Sequence, residues 1–189
     1  MKMAACVSIL CIGYAASSQS AIGMEAVSGC KLGSNGDHTL SLLRDHPIGG
    51  TAVYYLSRDG AAPVRLYAGE PDQSRGQEIQ VACIGMDERA FVLSGEFASN
   101  YVQGIAIRYN AKVGQWERVD FAERERPASI YLDAKGIAVL IPNSGRNESS
   151  KRYILYRYEA GTGDVKQIYS DHRPRAKAVK IPARKDKRE

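Results

Sequence analysis

The chain has 189 residues, of which 26 are Lys or Arg, 21 are Asp or Glu and four are Cys. This length fits one compact domain, or a signal segment followed by one domain, and it excludes a large multidomain enzyme. An apolar fraction of 44% is sufficient for a hydrophobic core and excludes wholesale disorder.

The first 23 residues have the pattern of an export signal. Lys2 gives a positive start, residues 3–16 are apolar but short for a membrane span, and small residues follow. Ala21 and Gly23 place small side chains at the −3 and −1 positions of a cleavage after Gly23, and an earlier cleavage fits equally well. We expect a periplasmic or secreted protein with no membrane span in the mature chain, and a retained anchor is the alternative.

Export also decides how the cysteines are used. Cys6 and Cys11 would leave with the signal, so Cys30 and Cys83 remain as an even pair in an oxidising compartment. The sequence therefore predicts one disulfide, between the N-terminal segment and a strand at residues 79–84. Two cysteines at this spacing do not make a zinc site, and we expect no metal or other cofactor.

Residues 24–172 are predicted to form a single all-β domain of about ten short strands. Runs rich in Val, Ile, Tyr and Phe alternate with polar residues and are separated by turn-forming sequences. Only residues 40–44 have the spacing of a helical turn. The predicted strands are 51–56, 64–67, 78–84, 90–94, 104–109, 115–121, 129–132, 136–141, 152–158 and 165–169.

Two segments of this domain repeat one pattern. IAIRYNAKVGQWERVDF from Ile105 and ILYRYEAGTGDVKQIYS from Ile154 both contain Arg-Tyr-x-Ala-x-x-Gly, at an offset of 49 residues. Upstream, residues 86–93 and 132–140 match at an offset of 46, and a fainter copy begins at Ala52. The unit of about 45–50 residues lies in the period range of propeller blades.

This repeat resembles a β-propeller blade, in which an Asp-x-x-Gly turn precedes an inner apolar strand. The resemblance covers residues 50–171 and about two and a half copies, whereas propellers have at least four blades. Three arrangements follow: an antiparallel sandwich or open barrel, a partial-propeller-like stack, or several chains that complete one ring. We favour the first of these.

The basic residues are concentrated at the C-terminus. Residues 173–189 carry eight basic and two acidic side chains, a net +6, so the rest of the +5 chain is near neutral at −1. A short terminal run of charge is typical of a solvated tail, whereas a nucleic-acid-binding domain carries basic charge on its folded surface. We therefore expect a disordered tail over 173–189 and no nucleic-acid partner.

Catalytic signatures are absent from the sequence. No nucleophile elbow, P-loop or dinucleotide-binding glycine motif occurs, so we expect no enzymatic activity and no catalytic residue. His38, His46 and His172 each follow an Asp. Because adjacent residues of a strand point to opposite faces, and because all three pairs lie in predicted loops, we interpret them as exposed turn residues.

Aromatic composition instead favours a binding role. Eleven Tyr against three Phe and one Trp suit a half-exposed β surface, and the loop 94–101 (SGEFASNY) is a candidate recognition loop. The candidate binding residues are Tyr101, Arg108, Tyr109, Trp116, Tyr156, Arg157 and Tyr158.

Two functions fit these observations. One is an exported, non-enzymatic binding protein that neutralises another protein, as inhibitors and immunity proteins do. The alternative is a carbohydrate-binding module, in which the blade-like repeats would place equivalent glycan sites at Arg108/Tyr109 and Arg157/Tyr158.

Overall fold

The structure is a computed structural model that describes residues 23–145 and 149–183. Within these ranges the chain forms thirteen strands, paired antiparallel in two sheets that do not close into a barrel. The predicted all-β class is therefore confirmed. Nearly all of the predicted export signal lies outside the described residues.

Seven strands follow one another across the first sheet, and a short eighth strand pairs with the third. Only two residue pairs join the third strand to the next one in the sheet. The sheet contains, in spatial order, β1 (Glu25–Leu32), β2 (His38–Arg44), β3 (Ala52–Arg58), β5 (Arg75–Ile84), β6 (Ala90–Glu96), β7 (Val102–Asn110) and β8 (Gln115–Glu123), with β4 (Val64–Arg65) beside β3.

The second sheet has five strands, and its edge strand β13 comes from the predicted tail. In spatial order it contains β12 (Val165–Ser170), β11 (Tyr153–Tyr158), β10 (Gly136–Pro142), β9 (Ser129–Asp133) and β13 (Ala178–Lys180). All ten predicted strands are present, with ends that shift by three residues or fewer.

The central meander, β5–β8, is covered on both faces. On one face, Leu93 and Ile105 pack with Leu40 and other residues of β1–β3. On the opposite face, Val92 and neighbouring side chains pack against the second sheet. A strand that is buried on both faces reads as a continuous apolar run, and residues 90–95 of β6 are all buried.

The first two strands were missed by the sequence analysis. Residues 40–44, predicted as a helical turn, lie in β2, with Leu40 and Leu42 directed into the core. Tertiary packing overrides the local helical preference of Leu here, because a period of two places both side chains on one face.

The predicted repeat corresponds to two hairpins with the same turn. In the β7–β8 turn, the Gly114 N–H donates to the Asn110 carbonyl at 2.9 Å, and in the β11–β12 turn the Gly163 N–H donates to the Glu159 carbonyl at 2.8 Å. Both glycines have positive φ, +65° and +79°, which explains the shared Gly. The resemblance to a propeller stays a prediction, since no ring closes among the described residues.

Residues 173–183 do not form the disordered tail that was predicted. They cross the outer face of the second sheet, where Ala176 packs on a buried cluster, and then add β13 to the edge of β9. We call this segment the C-terminal strap. Small apolar side chains that turn inward between the cations explain its packing. The buried cluster consists of Tyr131, Ala138, Leu140 and Leu155.

Removing the C-terminal strap by truncation after His172 is expected to lower the free energy of unfolding by about 2 kcal/mol, because Leu140 and Tyr131 would become exposed. Urea unfolding followed by fluorescence measures this change. Truncation after Ala183, which keeps β13, is the control and is expected to be within about 0.5 kcal/mol of the full chain. Equal stability of the two truncated proteins would contradict a packed strap.

Candidate functional site

The predicted binding residues do not form one surface. Tyr101 lies beside a cleft at one end of the first sheet, and Tyr109 and Trp116 pair across the β7–β8 hairpin. Three others, Arg108, Tyr156 and Tyr158, lie where the two sheets pack together. Arg157 lies on the outer face of the second sheet, where it pairs with Ala138.

Arg108 is buried, with 2% of its surface exposed. Its Nε donates to Glu117 Oε2 at 2.6 Å, and its Nη2 donates to the Asp133 carbonyl at 2.7 Å. Glu117, which is fully buried, also accepts bonds from Asn110 Nδ2 and from the Ile137 N–H. The side chain of Arg108 therefore joins the two sheets and has almost no surface to offer to a ligand.

The second repeat arginine reaches the same turn. Arg157 Nη1 lies 3.2 and 3.3 Å from the two carboxylate oxygens of Asp133, so Asp133 receives Arg108 on its carbonyl and Arg157 on its carboxylate. Arg157 thus ties β11 to the end of β9 within the second sheet, whereas Arg108 joins the two sheets.

The tyrosines of the second repeat, Tyr156 and Tyr158, face the interface between the two sheets. The Tyr156 hydroxyl donates to Glu123 Oε1 at 2.7 Å, and Glu123 also accepts a bond from Gln167. Burial, followed by the Glu123 interaction, raises the pKa of Tyr156 well above its usual value. Tyr158 is half-buried against the cluster between the sheets.

Tyr109 and Trp116 belong to a larger cluster that we call the arginine–aromatic patch. The His38 ring stacks on Tyr109 with 3.6 Å between centroids, and Trp116 meets Tyr109 edge-on at 5.6 Å. The Arg58 Cζ lies 5.2 Å from the Trp116 ring centroid, a cation–π distance. The patch comprises His38, Arg58, Tyr109, Trp116 and Arg118.

Within this patch two guanidinium groups lie near each other. Arg58 is exposed and has no hydrogen-bonded or ion-paired acidic partner among residues 23–145 and 149–183. Partial burial and the positive charge of Arg118 lower its pKa. Arg118 is held by Asp120, at 2.6 and 2.8 Å, and it donates to the Leu66 carbonyl at 2.7 Å. The patch therefore carries an uncompensated cation beside an aromatic ring.

An open cleft of about 620 Å³ adjoins the patch. Residues 64–69 line it together with Arg118 and Asp120. The Tyr67 ring lies beneath the Arg118 guanidinium at 6.0 Å, and its buried hydroxyl has no hydrogen-bond partner among the described residues. Burial raises the pKa of Tyr67, so this hydroxyl stays protonated and can donate.

His38, which belongs to the patch, was predicted from the sequence to lie in an exposed loop. It begins β2, is half-buried, and its Nδ1 lies 2.9 Å from Asp59 Oδ2. Asp59 also accepts the Thr39 N–H, and these two bonds lower the pKa of Asp59. The acidic partner of His38 is thus 21 residues away in sequence, so the Asp37 that precedes His38 did not indicate this pair. His46 and His172 do lie in loops.

Tyr101 lies elsewhere, beside an open cleft of about 730 Å³. It is 42% exposed, and the Arg124 guanidinium lies 5.3 Å above its ring. The predicted recognition loop forms part of the lining, together with Arg75 and Gln77. Tyr101 and Arg124 therefore form a second exposed aromatic–arginine pair, but this cleft has a single exposed ring, in contrast to the cluster of rings in the patch.

No protein-family model, curated protein or solved structure matches this chain. Among the described residues, no group of three or more His, Cys, Asp or Glu side chains is arranged to hold a metal ion. The same residues contain no helix long and apolar enough to cross a membrane.

Proposed function

We propose that this protein is an exported, non-enzymatic binding protein that holds another protein through the arginine–aromatic patch. The observation that carries the proposal is Arg58, which stacks over Trp116 with no acidic partner in the described chain. Trp and Arg are the residues that most often dominate binding energy at protein interfaces.

The charge of the patch indicates what the partner presents. Arg58 lies close enough to Arg118 for their positive charges to oppose each other. A carboxylate from a partner would relieve this repulsion, and Trp116 would supply apolar contact area beside it. We infer an acidic partner surface, as an inhibitor or immunity-type protein would meet on its target.

The proposed location rests on the cysteines. Cys30 and Cys83 form a disulfide, as predicted. A structural disulfide fits an extracellular or periplasmic protein, because thiols are kept reduced in the cytosol. The export signal remains a proposal from the sequence of residues 1–23.

The carbohydrate-binding alternative depends on equivalent sites in the two repeats. Arg108 is buried between the sheets and Arg157 lies on the outer face of the second sheet, so the repeats do not present two matching open sites. A glycan would have to use Trp116, which has no counterpart in the second repeat. The geometry therefore favours a protein partner.

The proposal predicts that Arg58→Glu abolishes capture of the partner, because the reversed charge repels an acidic surface. Wild-type protein and the variant serve as baits in an envelope extract, followed by mass spectrometry. Arg89→Glu is the matched control, since Arg89 is also exposed and lies outside the patch. A protein captured equally by all three baits would contradict the proposal. A glycan-array signal that is lost in Trp116→Ala, without any protein partner, would support the carbohydrate alternative instead.

A further inference from the structure

The C-terminal strap presents a ridge of cations to solvent. Pro174, Ala176 and Val179 are partly buried, whereas Arg175, Lys177 and Lys180 are exposed. The path of the backbone therefore sorts the side chains of this segment, with apolar groups toward the second sheet and charges away from it. The packing of Ala176 and the pairing of β13 with β9 hold these charges in fixed positions, whereas the charges of a free tail would move.

The charges on this ridge are not neutralised within the described chain. Arg175, Lys177 and Lys180 form no ion pair among residues 23–145 and 149–183. Three acidic side chains near the strap are already paired: Asp133 with Arg157, Asp171 with Lys151 and Glu88 with Arg108. The ridge therefore creates a concentrated positive electrostatic potential on a protein whose remaining residues are nearly neutral in net charge.

An exposed apolar side chain adjoins the same ridge. Met86, in the β5–β6 turn, is 85% exposed, the highest value among the large apolar side chains of the described residues. It lines an open cleft of about 580 Å³ together with residues 177–180. Cations that flank an exposed flexible apolar side chain suit an anionic bilayer, whose headgroups attract the charges and whose hydrocarbon accepts the thioether side chain.

We propose that the strap ridge and Met86 form a docking surface for an anionic lipid membrane. A soluble polyanion would be attracted by the cations but would have no use for Met86, and this difference selects the membrane. Asp87, next to Met86, is exposed and opposes the attraction. The surface is separate from the arginine–aromatic patch, so this inference stands independently of the proposed protein partner.

The test uses the full chain and vesicles of phosphatidylcholine with or without phosphatidylglycerol, in a co-sedimentation assay. Lys177→Gln/Lys180→Gln is expected to weaken binding to the anionic vesicles by about thirtyfold, because each lysine near such a surface contributes about fivefold. The matched control, Lys31→Gln/Lys112→Gln, removes the same charge from exposed positions outside the strap and is expected to change binding by less than about threefold. The N-terminal apolar segment is common to all of these proteins.

Two further variants test the role of the turn. Met86→Ser is expected to weaken binding to anionic vesicles, and Asp87→Asn is expected to strengthen it. Equal losses in the two double-lysine variants, or wild-type binding that is the same with and without phosphatidylglycerol, would overturn the proposal. Tighter binding to polyphosphate than to vesicles, with no effect of Met86→Ser, would overturn it in favour of a soluble polyanion. Matching thermal melts would show that each variant is folded.

Discussion

Replacing Glu117 with Ala is expected to lower the free energy of unfolding by about 3–5 kcal/mol. Glu117 is fully buried, and it accepts hydrogen bonds from Arg108, Asn110 and the Ile137 N–H. Its removal leaves the Arg108 guanidinium in the interior without its closest carboxylate, and it orphans donors from both sheets. Urea unfolding at neutral pH measures the change.

The matched control for this prediction is Glu88→Ala. Glu88 also pairs with Arg108, at 3.1 Å, but its side chain is 43% exposed, so we expect a loss of no more than about 1 kcal/mol. A double variant, Arg108→Met/Glu117→Leu, should be more stable than Glu117→Ala, since no buried charge is left unpaired. Similar losses for Glu88→Ala and Glu117→Ala would show that burial does not control the strength of these pairs.

Breaking the Cys30–Cys83 disulfide is expected to lower the free energy of unfolding by about 4 kcal/mol in the chain-entropy model. The cysteines are 53 residues apart in sequence, and the bond ties β1 to β5. Only two residue pairs join β3 to β5. The disulfide therefore adds a covalent link between strands β1–β3 and the central meander.

Thermal melting with and without reductant tests this prediction. The wild-type protein should melt at a lower temperature when reduced, and Cys30→Ser/Cys83→Ser should match the reduced protein. Reductant should leave the melting temperature of the double variant unchanged, which controls for unrelated effects. Identical melts of the oxidised and reduced wild-type protein would refute the expected stabilisation.

Most strands could be predicted from the sequence because their signals are local. The alternation in β8, with Glu117, Val119 and Phe121 buried and polar residues between them, follows the two-residue period of a pleated strand. Turn glycines such as Gly114 and Gly163 are also local signals, because the positive φ values of these turns favour glycine. β1 and β2 were missed because the burial of their apolar residues depends on strands that are distant in the sequence.

The candidate site was less predictable, because exposure is decided by packing between layers. Arg108 and Arg157 match in the repeat and look alike in sequence, yet one is almost completely buried and both end on Asp133. Tyr109 and Trp116 were both candidate binding residues from the sequence, and they pair across the β7–β8 hairpin. Their companions, His38 and Arg58, come from strands about 50 to 80 residues earlier.

Local sequence signals were therefore enough to predict the β class, ten of the thirteen described strands, the two equivalent hairpins and the cysteine pair. Each of these depends on residue period, turn chemistry or the number of cysteines. Packing between the sheets, by contrast, sets which arginine is buried, which rings form the arginine–aromatic patch and where residues 173–183 pack as a strap. Those outcomes depend on long-range contacts, in which a side chain's environment is set by residues far from it in the chain.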